Sequence, residues 1–193
     1  MLTERDLEDM IYNSDPDELE SAGLPRWDNL LRQVNLGSYG IADLIDFKVV
    51  SRDYSYDVYV TIIELKKEKL SMDTIDQCLR YFKGLETFFP FGLEKEVDKP
   101  IMLKKVDIVL IGNSVCLKSN FTYLLDFLYF NGVSAYTINL DFNGITFNRK
   151  FGYCQVDHKE PSEASCNQIK DHLSCVFNWQ DFLIENEKNT NED

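Results

Sequence analysis

The run Tyr56-Asp-Val-Tyr-Val-Thr-Ile-Ile-Glu-Leu-Lys66 constrains this chain more than any other stretch. It is rich in β-branched and aromatic residues and contains no Gly or Pro, which predicts a strand. Val58, Val60 and Ile62 fall on one face; Tyr59, Thr61, Ile63 and Leu65 fall on the other. A strand that is apolar on both faces belongs at the centre of a sheet covered on both sides. The first face does not end apolar. It continues into Glu64 and Lys66, and a charge drawn toward a core must be paired or must bind something.

The rest of the chain supplies the layers such a strand needs. Residues 3–12 read as an amphipathic helix with Thr3 as N-cap and Leu7, Met10 and Ile11 as its apolar face. Asp15-Pro16 starts a turn or short helix through Leu19, and Gly23, Pro25 and Trp27 mark a loop. Residues 30–36 and 39–50 read as strands joined around Gly37-Ser38. Ser71 caps a helix of about 17 residues with a stripe of Ile75, Leu79, Phe82 and Leu85, ended by Pro90. Residues 92–100 read as a charged loop and 104–112 as a further strand. Ser119 opens a helix to about Phe130, and Asn143-Gly144 joins strands 133–142 and 145–150 as a hairpin. The expected fold is α/β (α+β): a mixed central sheet flanked by helices, with a strand–helix–strand crossover in the middle.

With 44% hydrophobic residues in 193, the chain holds one core. Residues 1–154 are expected to form it. Residues 155–193 are expected to be an extension with one amphipathic helix (Ile169, Leu173, Val176) and an acidic, disordered end. There is no apolar run of membrane-spanning length and no apolar leader-like segment at the start, so a cytoplasmic protein is expected. The five cysteines (78, 116, 154, 166, 175) are widely spaced without C-x-x-C, and His158 and His172 have no cysteine at ligand spacing. Neither a disulfide framework nor a zinc site is indicated. The net charge of −13 opposes a broad nucleic-acid surface. The acids concentrate at the ends, however: eight in residues 1–21 and five in 181–193, leaving residues 22–180 with 20 acids against 18 bases.

Asp43 lies on the strand before Glu64. Paired as an antiparallel hairpin, the two strands would bring both carboxylates together, and like charges meeting there call for a cation. Mg²⁺ or Mn²⁺ held by Asp43 and Glu64, with the Leu65 carbonyl as a further oxygen ligand, suits phosphodiester hydrolysis. Lys66 would orient or help deprotonate the attacking water, or neutralise the developing charge.

Gly40-Ile-Ala-Asp43, about 20 residues, then Ile63-Glu64-Leu65-Lys66 and a helix resembles the core of the PD-(D/E)XK nuclease superfamily, in the manner of RecB-like nucleases, Holliday-junction resolvases and mismatch endonucleases. The opening helix resembles the family's first helix, whose glutamate faces the metal, a role that maps to Glu4 with Glu8 as runner-up. Arg32-Gln33-Val34 resembles the strand before the Asp. Gln77, Arg80 and Tyr81 match a Q-x-x-R-Y pattern near the active site and nucleic acid. The resemblance covers residues 1–112 and more loosely extends to 150; where the superfamily name has proline this chain has Ala42. It implies a restriction-endonuclease-like core, a Mg²⁺-dependent nuclease acting on single-stranded, branched or duplex DNA, a possible homodimer, and a bacterial or phage-infected cell as setting.

The residues also admit plainer readings. Glu64 and Lys66 can be a pair at a strand end, Asp43 a turn cap, Glu4 and Glu8 first-turn charges favoured by the helix dipole, and Gln77, Arg80 and Tyr81 an ordinary helix face. Phe121–Phe130 reads as core. A second functional reading is a nuclease-fold protein without catalysis, binding a protein partner through its acidic ends, such as an inhibitor or virion component.

Overall fold

The computed structural model describes residues 3–92, 99–116, 132–142 and 144–151. Two short helices come first. Helix α1 (Glu4–Asn13) is started by Thr3, whose hydroxyl accepts the Asp6 N–H while the Asp6 carboxylate accepts the Thr3 N–H. This reciprocal cap satisfies two donors that the first turn would otherwise leave without partners. Helix α2 (Pro16–Ser21) repeats the device with Asp15 and Glu18, and Pro16 sits where its missing N–H costs nothing.

Three strands then form an antiparallel meander: β1 (Leu30–Asn35), β2 (Ile41–Ser51) and β3 (Tyr56–Leu70). A 3-10 turn at Gly37–Tyr39 joins the first two. Helix α3 (Met72–Gly92) leads to β4 (Ile101–Val115), which pairs parallel to β3, the arrangement a helical crossover requires. β5 (Val133–Asp141) is parallel to β4, and β6 (Gly144–Phe151) is antiparallel to β5. Among the described residues these make one six-stranded mixed sheet in chain order, β1 to β6. The expected α/β class with helices against a mixed sheet holds.

The sheet is covered on both sides, as the two-sided pattern of β3 requires. Val58, Val60 and Ile62 pack with Ile75, Cys78, Tyr81, Leu85, Phe88 and Phe89 of α3. Ile63 and Leu65 pack on the other side with Leu7 and Ile11 of α1, Leu19 of α2, and Leu24 and Trp27 of the loop that follows.

Three expectations need correction. Leu79 is not in the α3 stripe; it is 46% exposed, and Phe82 is only partly buried. The buried residues advance by three or four (75, 78, 81, 85, 88), so the stripe drifts around the helix and Leu79 falls off its edge. Pro90 does not end α3, which runs on to Gly92. It lies in the last turn, where it forfeits one hydrogen bond, and the preceding Phe88 and Phe89 are buried in the core. Strands β3 and β4 also outlast their apolar runs. Lys69 pairs with Ser114 and Leu70 with Val115, so backbone pairing carries both strands past the hydrophobic pattern.

The β5–β6 hairpin closes at the Asp141–Gly144 pair, with Gly144 at φ +124. Asn143 itself, the helix expected at 119–130, the proposed boundary near 154, both histidines and Cys154, Cys166 and Cys175 lie outside the described residues. Cys78 and Cys116 are buried free thiols. Among the described residues no helix is long and apolar enough to cross a membrane.

Candidate functional site

The β2–β3 ladder runs from Ser51–Tyr56 to Leu44–Ile63 and stops there. The next pair in that register is Asp43 and Glu64, so the two carboxylates stand across from each other at the end of the ladder, as the sequence led one to expect. Past this point β3 has lost its neighbour on the β2 side. Its N–H groups at alternate residues still project toward that edge. The Leu65 N–H is taken by Asp43 Oδ2 at 2.9 Å, and the Lys67 N–H by Glu4 Oε1 at 2.8 Å. Two carboxylates thus replace the missing strand.

Glu64 lies beneath α3 with 0% exposure. Its Oε1 accepts from Lys66 Nζ at 2.5 Å. Its Oε2 is buried and has no hydrogen-bond partner. Burial first, and then the charge of Asp43, push its carboxyl up to about 7, against the pull of Lys66. Asp43 is half-buried and is also pushed up, chiefly by burial; the Leu65 N–H and Lys66 oppose this, while Glu8 and Glu4 add to it. Burial alone would lower the Lys66 ammonium, but the bond to Glu64 and the charges of Glu64, Asp43 and Glu4 outweigh it, leaving Lys66 raised. Lys66 is therefore a cation at any ordinary pH.

Asp43, Glu64 and Lys66 come together, and Glu4 reaches the rim of the same site. Glu8 does not join them as a ligand: it is 6% exposed and is held by Arg32 Nε at 3.0 Å and Gln33 Nε2 at 2.7 Å. Gln77, Arg80 and Tyr81 do not present a common surface. Tyr81 is 2% exposed, a core residue; its hydroxyl donates to the Ile41 carbonyl at 2.6 Å and accepts from Gln77 Nε2 at 2.5 Å. The i, i+4 spacing puts Gln77 over Tyr81, whereas Arg80 turns to the exposed side. Gly40, at φ +114, makes room for the Tyr81 ring, since a Cβ there would lie 2.8 Å from Cε1. The Gly40-x-x-Asp43 spacing thus has a local cause: Tyr81 grips the start of β2 through Ile41, two residues before Asp43.

One contributor was not legible. Cys78 is buried on the α3 face that covers Glu64, and its thiol is raised well above the usual range by burial and then by the charge of Glu64. The helical stripe as read from sequence passed over it for Leu79.

A bound cation would satisfy both the orphaned Glu64 Oε2 and the facing Asp43 carboxylate. Among the described residues no group of three or more His, Cys, Asp or Glu side chains is arranged to hold a metal. A pair of carboxylates fits Mg²⁺, which keeps several of its waters and needs one or two protein carboxylates. No protein-family model, no curated protein and no solved structure matches this chain.

Proposed function

We propose that this chain is a Mg²⁺- or Mn²⁺-dependent nuclease acting on DNA, with a restriction-endonuclease-like core centred on Asp43, Glu64 and Lys66. The observation that carries the reading is the Glu64 Oε2 atom, buried without a hydrogen bond and across from a second carboxylate. Such an atom is costly unless a ligand satisfies it. Asp43 and Glu64 would hold the ion. The Leu65 carbonyl is a candidate further ligand, because the N–H and C=O of a strand residue leave from the same edge and its N–H already meets Asp43. Bound there, a divalent ion supplies Lewis acidity toward a phosphate oxygen and a nearby water. Lys66, kept cationic by its neighbours, suits neutralising charge on the reacting phosphate better than removing a proton. Glu4 at the rim can orient a water through its second oxygen.

The test is cleavage of labelled single-stranded, duplex and branched DNA in Mg²⁺, Mn²⁺ or EDTA, beside Glu64→Gln. Metal-dependent cleavage lost in the variant is the expected result. No cleavage of any substrate, together with no rise in Tm on adding metal, would reject the reading.

A second reading rests on the surface of α1 and α2. Glu4, Asp6, Asp15, Asp17, Glu18 and Glu20 are exposed there, and neither helix has a basic residue in its last turn. Such a face suits a basic protein partner. Binding of that partner would survive Glu64→Gln, which separates the two readings.

A further inference from the structure

β1 breaks the alternation of a strand at a single residue. Leu30 packs on the α1–α2 side of the sheet and Leu31 on the α3 side, as alternation requires. Val34, and Leu36 just beyond the strand, should return to the side of Leu30. Both instead lie in the core under α3. The flip falls at Gln33, at φ 50 the one non-glycine residue with a left-handed backbone among the described residues. The ladder to β2 skips the same place. Arg32 pairs with Leu44 and Val34 with Ala42, but Gln33 and Asp43, which face each other between them, are missing from it.

Neighbours on a regular strand point to opposite faces. Arg32 and Gln33 nevertheless reach the two oxygens of one carboxylate, Glu8 Oε1 and Oε2. Only the reversal at Gln33 puts both side chains on the α1 side. Arg32 extends the grip, with a second nitrogen 2.8 Å from Asp9 and its guanidinium over the Tyr12 ring. All three partners are on α1. A left-handed conformation is disfavoured for a residue with a Cβ and persists where its surroundings over-determine it.

We infer that Gln33 and Arg32 are positioning residues. The reversed backbone at Gln33 lets the pair clamp Glu8, which fixes α1 against the sheet and places Glu4 on the Lys67 N–H. The same reversal interrupts the ladder opposite Asp43, which leaves the Asp43 carboxylate to turn to the Leu65 N–H. What this placement accomplishes rests on the function proposed above; the placement itself is tested without DNA or metal.

The experiment is amide hydrogen exchange, read by NMR on the full chain, for the wild type, Glu8→Gln, Gln33→Gly and Gln33→Val. Glu8→Gln should speed exchange of the Lys67 N–H at least tenfold while the Ile63 and Val109 amides of the sheet interior keep their rates. Gln33→Gly keeps access to the left-handed backbone and loses the Gln33 half of the clamp, leaving Glu8 to Arg32 alone, so the Lys67 N–H should speed up and the Leu65 N–H should not. Val disfavours that backbone, so Gln33→Val should release both. Wild-type exchange at Lys67 in Glu8→Gln, or at Leu65 in a folded Gln33→Val, would overturn the inference. Should Gln33→Val not fold, Glu8→Gln and Gln33→Gly decide it alone. A parallel cleavage assay separates the two claims. Altered exchange with no cleavage by the wild type keeps the clamp and rejects the nuclease. If the wild type cleaves, Gln33→Gly should need more Mn²⁺ for half-maximal rate, and an unchanged requirement would mean that the clamp does not serve the site.

Discussion

The Asp43 carboxylate, one residue past the end of the β2–β3 ladder, accepts the N–H of Leu65, two residues past it on β3. A side chain thereby does the work of a strand, and it brings a negative charge to face the buried Glu64. The pair is held together by the fold against its own repulsion, and that tension has measurable consequences.

The first concerns pH. Glu64 is raised from an ordinary 4.5 to about 7, so the folded state binds its proton more tightly than the unfolded chain does. Its contribution to stability is present in full below about 4.5, falls as pH rises, and is gone above about 7. The loss is on the order of 3 kcal/mol, at about 1.4 kcal/mol for each tenfold change in proton affinity. Urea unfolding of the wild type at pH 5 and pH 8, beside Glu64→Gln, measures it. The difference between the two proteins should grow with pH; a difference that is flat across the range would contradict the burial of Glu64.

The second concerns metal. Millimolar Mg²⁺ should raise Tm, and more at pH 8 than at pH 5.5, because the ion competes with the proton on Glu64. The rise should disappear in Asp43→Asn and in Glu64→Gln. Scanning calorimetry with and without EDTA checks this, and an equal rise in all three proteins would place the ion elsewhere.

The third separates charge from hydrogen bonding at Asp43. Asn keeps an oxygen for the Leu65 N–H but removes the repulsion, so Asp43→Asn should be as stable as the wild type or more so at pH 8. Asp43→Ala removes the repulsion too but leaves that N–H without its acceptor, and should be about 1–3 kcal/mol less stable than Asp43→Asn. Cleavage, if present in the wild type, should be lost in both. A titration of the Glu64 carboxyl by NMR should show it lower in Asp43→Asn, since the charge of Asp43 is its second largest cause of elevation.

The fourth compares two glycines of similar backbone conformation. Gly40 and Gly144 have φ +114 and +124, but a Cβ at Gly40 meets the Tyr81 ring whereas one at Gly144 meets nothing within 4 Å. Gly144→Ala should cost about 1 kcal/mol, the backbone penalty alone. Gly40→Ala should cost at least about 2 kcal/mol, since steric overlap adds to it. Tyr81→Phe, which removes the hydroxyl from Ile41 and Gln77, should cost about 1–2 kcal/mol. Equilibrium unfolding of the three variants tests the ranking, and equal costs for the two glycines would mean that Tyr81 does not press on Gly40.

Sequence by itself determined the periodic features. The two faces of β3, the cap at Thr3, the order of the described strands and helices, and the hairpin near Gly144 are short-range patterns, each set by residues within a turn or a strand of one another. It also brought Asp43 opposite Glu64, because an antiparallel hairpin leaves little choice of register. Only the tertiary structure decided where the ladder stops, which glutamate of α1 reaches the site, and which atom of Glu64 is left without a partner. Glu4 and Glu8 lie one turn apart on the same helix and look alike in sequence. Arg32 and Gln33 claim Glu8 from a strand 24 residues away, through a backbone reversal that no local pattern announces. Such choices depend on which distant groups compete for the same carboxylate, and that competition exists only once the sheet has formed.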